Sequence, residues 1–314
     1  MASKSIQLNF VQRWSTALVS LLVLLPLAVP SNAQTQASCQ FTTFNTRFFL
    51  NTGGTLVLFP QGVNDYGTVV GEADNNVDFS VKAFTRSSGG ALSYYQHGSS
   101  DTTFTHRNNS GVNLGVYGSS TALASASGTP FTMQGSTVTP LTITVGGKTY
   151  SRFTVWGTNR WGTIVGAFAD SSGKIHAFKR FSNGSTVELD YPGAAQTVAN
   201  AINDGGTIVG FYSKTASPNL WRHGFIYNNG KWATLDYPDS TLQTTLSGIS
   251  NANLIAATTI QGSNALNSFI YVNGTFKKMV MPNSSVPTYA YGVSPNRGLI
   301  TGFSGYKGYI ATCK

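Results

Sequence analysis

Charge is scarce in this chain. Asp, Glu, Lys and Arg together make up 10% of 314 residues, with 11 carboxylates against 20 Lys and Arg. The glutamates are Glu72 and Glu188 alone. So few acids leave little material for the positioned carboxylate pair that glycoside hydrolysis generally needs. The cations are scattered, with Lys179-Arg180 and Lys277-Lys278 as the doublets, and a nucleic-acid binder would cluster them. Helical periodicity is missing: no segment over ten residues repeats its apolar positions at 3.6-residue spacing. After residue 33, no run approaches the ~20 apolar residues of a membrane span. There is no Gly-x-Ser-x-Gly elbow, phosphate loop or His-Glu-x-x-His motif, so no cofactor and no metal is expected. Cysteine occurs twice, as Cys39 and Cys313.

What is present begins with an address. Lys4 and Arg13 precede a largely apolar run from Ala17 to Val29, and Ser31-Asn32-Ala33 is a small-x-small cleavage site. This pattern marks a secretory signal over residues 1–33. The expected mature chain, 34–314, is rich in aromatic and β-branched residues, which argues against disorder.

The mature chain is organised around Ala201-Ile202-Asn203-Asp204-Gly205-Gly206-Thr207-Ile208-Val209-Gly210. Asn, Asp and Gly tolerate the left-handed angles of a hairpin turn, and the β-branched residues after it favour a strand. The motif recurs at Asn64–Gly71 and Asn159–Gly166, more weakly at Asn108–Gly115, and in decayed form at Ser250–Ala257 and Ser294–Gly302. Successive closing residues Gly71, Gly115, Gly166, Gly210, Ala257 and Gly302 lie 44, 51, 44, 47 and 45 positions apart. A period in the mid-forties, rich in strand signals, is that of propeller blades. A third strand follows each hairpin, with a small residue before an aromatic, as in His176-Ala177-Phe178 and His223-Gly224-Phe225; a fourth ends near Pro192, Pro238 or Pro282. The long second unit is expected to hold its extra residues around Ser136 to Lys148.

This arithmetic predicts an all-β, six-bladed propeller of four-stranded antiparallel blades in one domain. The last unit lacks a fourth strand, whereas Cys39–Phe44 resembles a fourth strand with no first three. The two termini are therefore expected to share one blade, closing the ring and covering its edges. Cys39 and Cys313 would then approach and bond in an oxidising compartment; free thiols or an intermolecular bridge are the alternatives.

Ile202–Gly210, His176-Ala177-Phe178 and Leu189-Asp190-Tyr191-Pro192-Gly193-Ala194 resemble the repeat of bacterial extracellular HAF-repeat proteins. The resemblance covers nearly all of the mature chain and is strongest in the third and fourth units. It implies export and a repeat propeller, and it brings no catalytic residues with it.

Chemistry has few candidates. Asp65 and Asp204 share one repeat position, as do Asp190 and Asp236; such repetition reads as structure, with Asp accepting bonds from its own turn. His176 and His223 also share a position, held elsewhere by Asn267 and Lys82, a mixture unsuited to a ring of metal ligands. A hydrogen bond to the neighbouring blade is the expected role. His97 and His106 flank Ser99-Ser100-Asp101, but a triad is defined by geometry rather than sequence proximity. The remaining feature is aromatic: Tyr66 and Trp161 occupy turn tips, with Arg160 beside Trp161, an arrangement suited to stacking on a sugar or a partner side chain. The sequence therefore reads as a secreted or periplasmic, monomeric binding module for an extracellular glycan or protein, with Tyr66, Arg160 and Trp161 as ligand-binding candidates. The rival is a carbohydrate hydrolase or lyase with carboxylates at the channel mouth; a structural surface component is the third reading.

Overall fold

The computed structural model describes residues 36–51, 53–118, 128–215, 221–239, 241–261 and 264–314. The expected signal sequence lies outside them. Among the described residues every regular element is a β-strand.

Six antiparallel sheets follow one another as the blades of a β-propeller. Blade 1 runs outward through Thr55–Val63, Val69–Asn75, Val81–Arg86 and Leu92–Tyr95, with the short strand Arg47–Phe49 added beside Thr55–Val63. Blade 2 begins at Thr102–Arg107, blade 3 at Phe153–Thr158, blade 4 at Gln196–Ile202 and blade 5 at Gln243–Ile249. Blade 6 takes three strands from the C-terminus and its outermost, Cys39–Asn45, from the N-terminal side. That strand pairs in unbroken register from Cys39 opposite Cys313 to Asn45 opposite Lys307. Cys39 and Cys313 form a disulfide. The extra length of the second unit makes a separate hairpin, Ile143–Val145 with Lys148–Tyr150.

Each blade is held by the same contact. The closing glycine of the second strand stands opposite the aromatic of the third: Gly71 with Phe84, Gly166 with Phe178, Gly210 with Phe225. A Cβ on Gly166 would collide with the Thr154 carbonyl oxygen and the Phe178 ring. Glycine lets the ring lie flat on the strand, where Phe178 is fully buried, a burial worth about 1.5–3 kcal/mol. Blade 5 has Ala257 there, opposite Phe269. Between blades the cores are continuous: Val165, Ala177 and Leu189 of blade 3 pack with Ala199, Ile202 and Ile208 around blade 4's inner strand.

Candidate functional site

The two ends of the propeller axis are built differently. At one end lie the turns joining first to second strands. In each full copy the first Asn ties its own turn: Asn159 Oδ1 accepts from Trp161 N and Thr163 N, both at 3.1 Å. Its Nδ2 donates across to the next blade, to Asn203 O at 3.2 Å, and Asn203 does the same to Ser250 O. Ser250 and Ser294, in the decayed copies, keep the within-turn acceptor through their hydroxyls. The fourth turn residue needs a positive φ, supplied by Gly162 (72°) or Gly206 (83°) and, in blade 5, by Asn253 (60°); Asn is among the side chains that tolerate this region.

The next position links the blades into a belt. Asp204 Oδ1 accepts from Arg160 N at 3.0 Å, while Asp204 N donates to Asn251 Oδ1 at 2.8 Å. Asn251 Nδ2 reaches Asn296 Oδ1 at 2.7 Å. Asn296 N and Arg297 N both donate to Asp65 Oδ1 at 2.9 Å, and Asp65 pairs in turn with Asn109. Asp65 and Asp204 are structural, as expected, but their donors come from neighbouring blades rather than their own turns. Burial raises the Asp65 pKa, but hydrogen bonds from Arg297, Asn109 and Asn296 outweigh it and hold the carboxyl below its ordinary range.

The three ligand candidates ride on this belt. Trp161 is 57% exposed and Tyr66 67%. The Arg160 guanidinium lies 4.2 Å from the Trp161 ring centre, and Trp161 Nε1 donates to Asp204 O at 3.1 Å. Arg160 and Trp161 thus form one unit leaning on blade 4, while Tyr66 stands apart on blade 1.

Just inside this end the inner strands close together. A Cβ on Gly157 would lie 2.9 Å from Ala201 Cα, and one on Gly292 2.8 Å from Gly62 Cα. Only a void of about 30 Å³ remains there. His106 occupies the matching place in blade 2, and burial pulls its pKa down to about 4.

The other end is open. A cavity of about 540 Å³ runs into the axis, within the range of small-molecule sites. Its walls come from a device repeated six times. The inner strand of every blade carries a β-bulge opposite its second strand. A bulge leaves one residue unpaired and re-aims its side chain. The six bulged residues are Gln61, Thr105, Trp156, Asn200, Ser247 and Tyr291, and all six line the cavity. They occupy one structural position and are six different residues: two carboxamides, two hydroxyls and two aromatics.

Two charged residues complete the lining: Glu72 of blade 1 and Arg222 at the start of blade 4's third strand. Three blades apart in a ring of six, they face each other across the axis. Neither forms an ion pair with any described residue. Burial pushes the Glu72 carboxyl up to about 7, the charge of Asp74 adding to the effect and the Thr103 hydroxyl opposing it. Arg222 is stacked on the Phe211 ring at 4.8 Å, and burial lowers its pKa. Trp156 Nε1 and Thr245 Oγ1 are buried with no hydrogen-bond partner among the described residues.

The histidines depart from expectation. His176 Nδ1 meets Asp190 Oδ2 at 2.8 Å, and His223 Nδ1 meets Asp236 Oδ2 at 2.6 Å. Both partners belong to the same blade, so each His fastens the third strand to the end of the fourth and not to a neighbour. His176, Glu188 and Asp190 do converge, but Lys174 Nζ already sits 3.0 Å from Asp190 Oδ2 and balances its charge. No triad forms near Ser99: His97 stacks on Tyr117 with centres 3.9 Å apart, and Asp101 Oδ1 accepts from Val81 N.

No family model and no curated protein sequence matches this chain. Solved structures are similar to it in fold. One is a protein assigned as a gluconolactonase, with 12% identity and a TM-score of 0.53 over 90% of this chain and 94% of that one. Another is a gluconolactonase from Xanthomonas campestris, with 10% identity and a TM-score of 0.49 over 91% and 99%. A third is a streptogramin B lyase, with 10% identity and a TM-score of 0.48 over 87% and 98%. At such identities the likeness concerns the fold: this chain is a six-bladed β-propeller whose terminal strands share a blade.

Proposed function

We propose that this protein is an exported binding module that takes the end of an extracellular glycan into its axial cavity. The observation that carries the reading is the bulge ring: one backbone device, repeated six times, delivers six unlike side chains to one cavity. Trp156 and Tyr291, three blades apart, supply aromatic surface of the kind that packs on a sugar ring. Gln61, Asn200 and Ser247 supply hydrogen-bonding groups for hydroxyls. The disulfide suits an oxidising compartment, and among the described residues no helix is long and apolar enough to cross a membrane. The HAF-repeat resemblance supports the same assignment to the cell exterior.

A glycan array probed with the mature protein tests it. Binding is expected, lost in Trp156→Ala and kept in the double variant Tyr66→Ala/Trp161→Ala. Binding that survives Trp156→Ala and disappears in the double variant moves the site to the turn tips.

A second reading, an enzyme acting at the same mouth, is favoured by Glu72, whose pKa near 7 suits general acid–base work. The paired-carboxylate form of that reading has no support, since Glu72 is the one carboxylate lining the cavity among the described residues. Cleavage of an array glycan, abolished by Glu72→Gln, would establish the enzyme.

A further inference from the structure

The cavity has a polarity that the glycan reading leaves unused. Arg222 is the one cationic side chain in its lining, and Glu72 the one acidic one. They stand on opposite blades, unpaired with each other or with any other described charge. Arg222 is half-buried, with its guanidinium over the Phe211 ring. Guanidinium stays charged even when buried. A charge kept from water without a counter-ion is unfavourable, and attraction to an anion strengthens as the local dielectric falls. A fixed, planar, unpaired fork of donors is therefore a receptor for an anion from outside.

The rest of the lining narrows the anion. With one guanidinium and a carboxyl across the axis, the cavity can balance a single negative charge. A dianionic phosphate would leave charge uncompensated and face Glu72 as well. A carboxylate carries one charge, and its plane matches the guanidinium fork in a bidentate pair. Beyond that pair, Trp156 and Tyr291 offer ring surface, and the far wall of Glu72 and Gln61 offers partners for hydroxyl groups. A ligand with one carboxylate at one end, a ring with an apolar C–H face between and hydroxyls at the other end is an acidic sugar.

Building on the glycan reading above, we infer that the axial cavity selects uronic-acid sugars, with the sugar carboxylate held by Arg222 and its hydroxyls directed toward Glu72. Arg222 sets the class of ligand, while the aromatic residues set that it is a sugar.

Titration calorimetry with oligomers of galacturonic and glucuronic acid, and with their carboxyl-reduced neutral counterparts, tests this at about pH 6 and low salt. Wild-type protein is expected to bind the acids about 10- to 100-fold more tightly than the neutral forms, as charge-assisted bidentate pairs do. Arg222→Gln should erase that preference, and Arg222→Lys should restore part of it, with far-ultraviolet spectra and melting curves confirming that both variants fold. Equal binding of acids and neutral sugars, lost in Trp156→Ala, overturns the uronate class and leaves the glycan reading standing. A preference that persists in Arg222→Gln overturns the role of Arg222. If no acidic or neutral sugar binds, both readings fall.

Discussion

The two ends of the axis use equivalent positions in opposite ways. At the turn end, residues recur: Asn at the first position in four blades, and Asp or Asn at the next position in four, with Asn296 one residue later in blade 6. They are joined from blade to blade by short hydrogen bonds. At the open end, the six bulge residues sit in one repeated place and all differ. Repetition at equivalent sites marks what the ring needs to stand. Divergence at equivalent sites marks what the ring is free to spend on a ligand, because the backbone bulge, and not the identity of the side chain on it, sets the position.

That contrast is first broken or upheld by ring closure. The disulfide encloses a separation of 274 residues, for which chain entropy gives about 5 kcal/mol, with losses of native disulfides measured at about 2–5. Cys39→Ser/Cys313→Ser should lower unfolding free energy by that amount in denaturant titrations, without changing ligand affinity. A change in affinity at constant fold would mean that the mouth depends on closure.

Next comes pH. Glu72 carries its ordinary 4.5 in the unfolded chain and about 7 in the fold. Between these values the folded form binds more protons, so the Glu72 contribution to stability is highest below about 4.5. It is lost as pH rises to about 7 and is constant above. The loss totals about 3 kcal/mol. Asp74, Thr103 and Tyr291 are the groups that act on or feel this carboxyl. His106, neutral in the fold down to about 4, works in the opposite direction between about 4 and 6.5. The clean measurement is therefore the difference between wild type and Glu72→Gln from pH 4.5 to 8, in which the His106 contribution cancels. A flat difference would show that the mouth holds no strained acid.

A direct comparison of the two ends follows. Asp65→Ala removes the acceptor for Asn296 N, Asn296 Nδ2, Arg297 N and Asn109 Nδ2 and should cost about 2 kcal/mol, since partly buried donors are left unpaired. Gln61→Ala at the mouth should change stability by less than about 0.5 kcal/mol, as substitutions away from such features do. Reversed magnitudes, read from parallel melts, would refute the division of labour.

What the residues disclosed before any coordinates divides along the same line. The blade count, the shared terminal blade and the Cys39–Cys313 bond rest on recurrence, and recurrence is visible in a string of letters. The bulges are not, because inner strands buried along nearly their whole length show no alternation for an inserted residue to interrupt, and the six inserted residues are all of different types. Arg222 raised no signal, since the cavity it lines is assembled from strands of all six blades, and Glu72, the acid in the same lining, stands some 150 positions away in sequence. Glu72 is one of eleven acids in the sequence with nothing there to single it out; burial gives it meaning. His176 and His223 were assigned to the wrong blade because sequence shows a shared repeat position and not which neighbour it faces.

The turn-tip aromatics fall between the two classes, and they make the finest test. Trp161 makes one bond to the next blade through Nε1 and carries Arg160 on its face, whereas Tyr66 is more exposed and its hydroxyl makes no such bond. Trp161→Ala should therefore cost about 1–2 kcal/mol, the sum expected of one exposed hydrogen bond and one exposed cation–π contact. Tyr66→Ala should cost almost nothing. If both are silent in stability and in glycan binding, the tips serve neither the ring nor the cavity. If Tyr66→Ala weakens binding at unchanged stability, the belt end carries a second ligand surface, and the rule that recurrence means structure holds only for the first two positions of each turn.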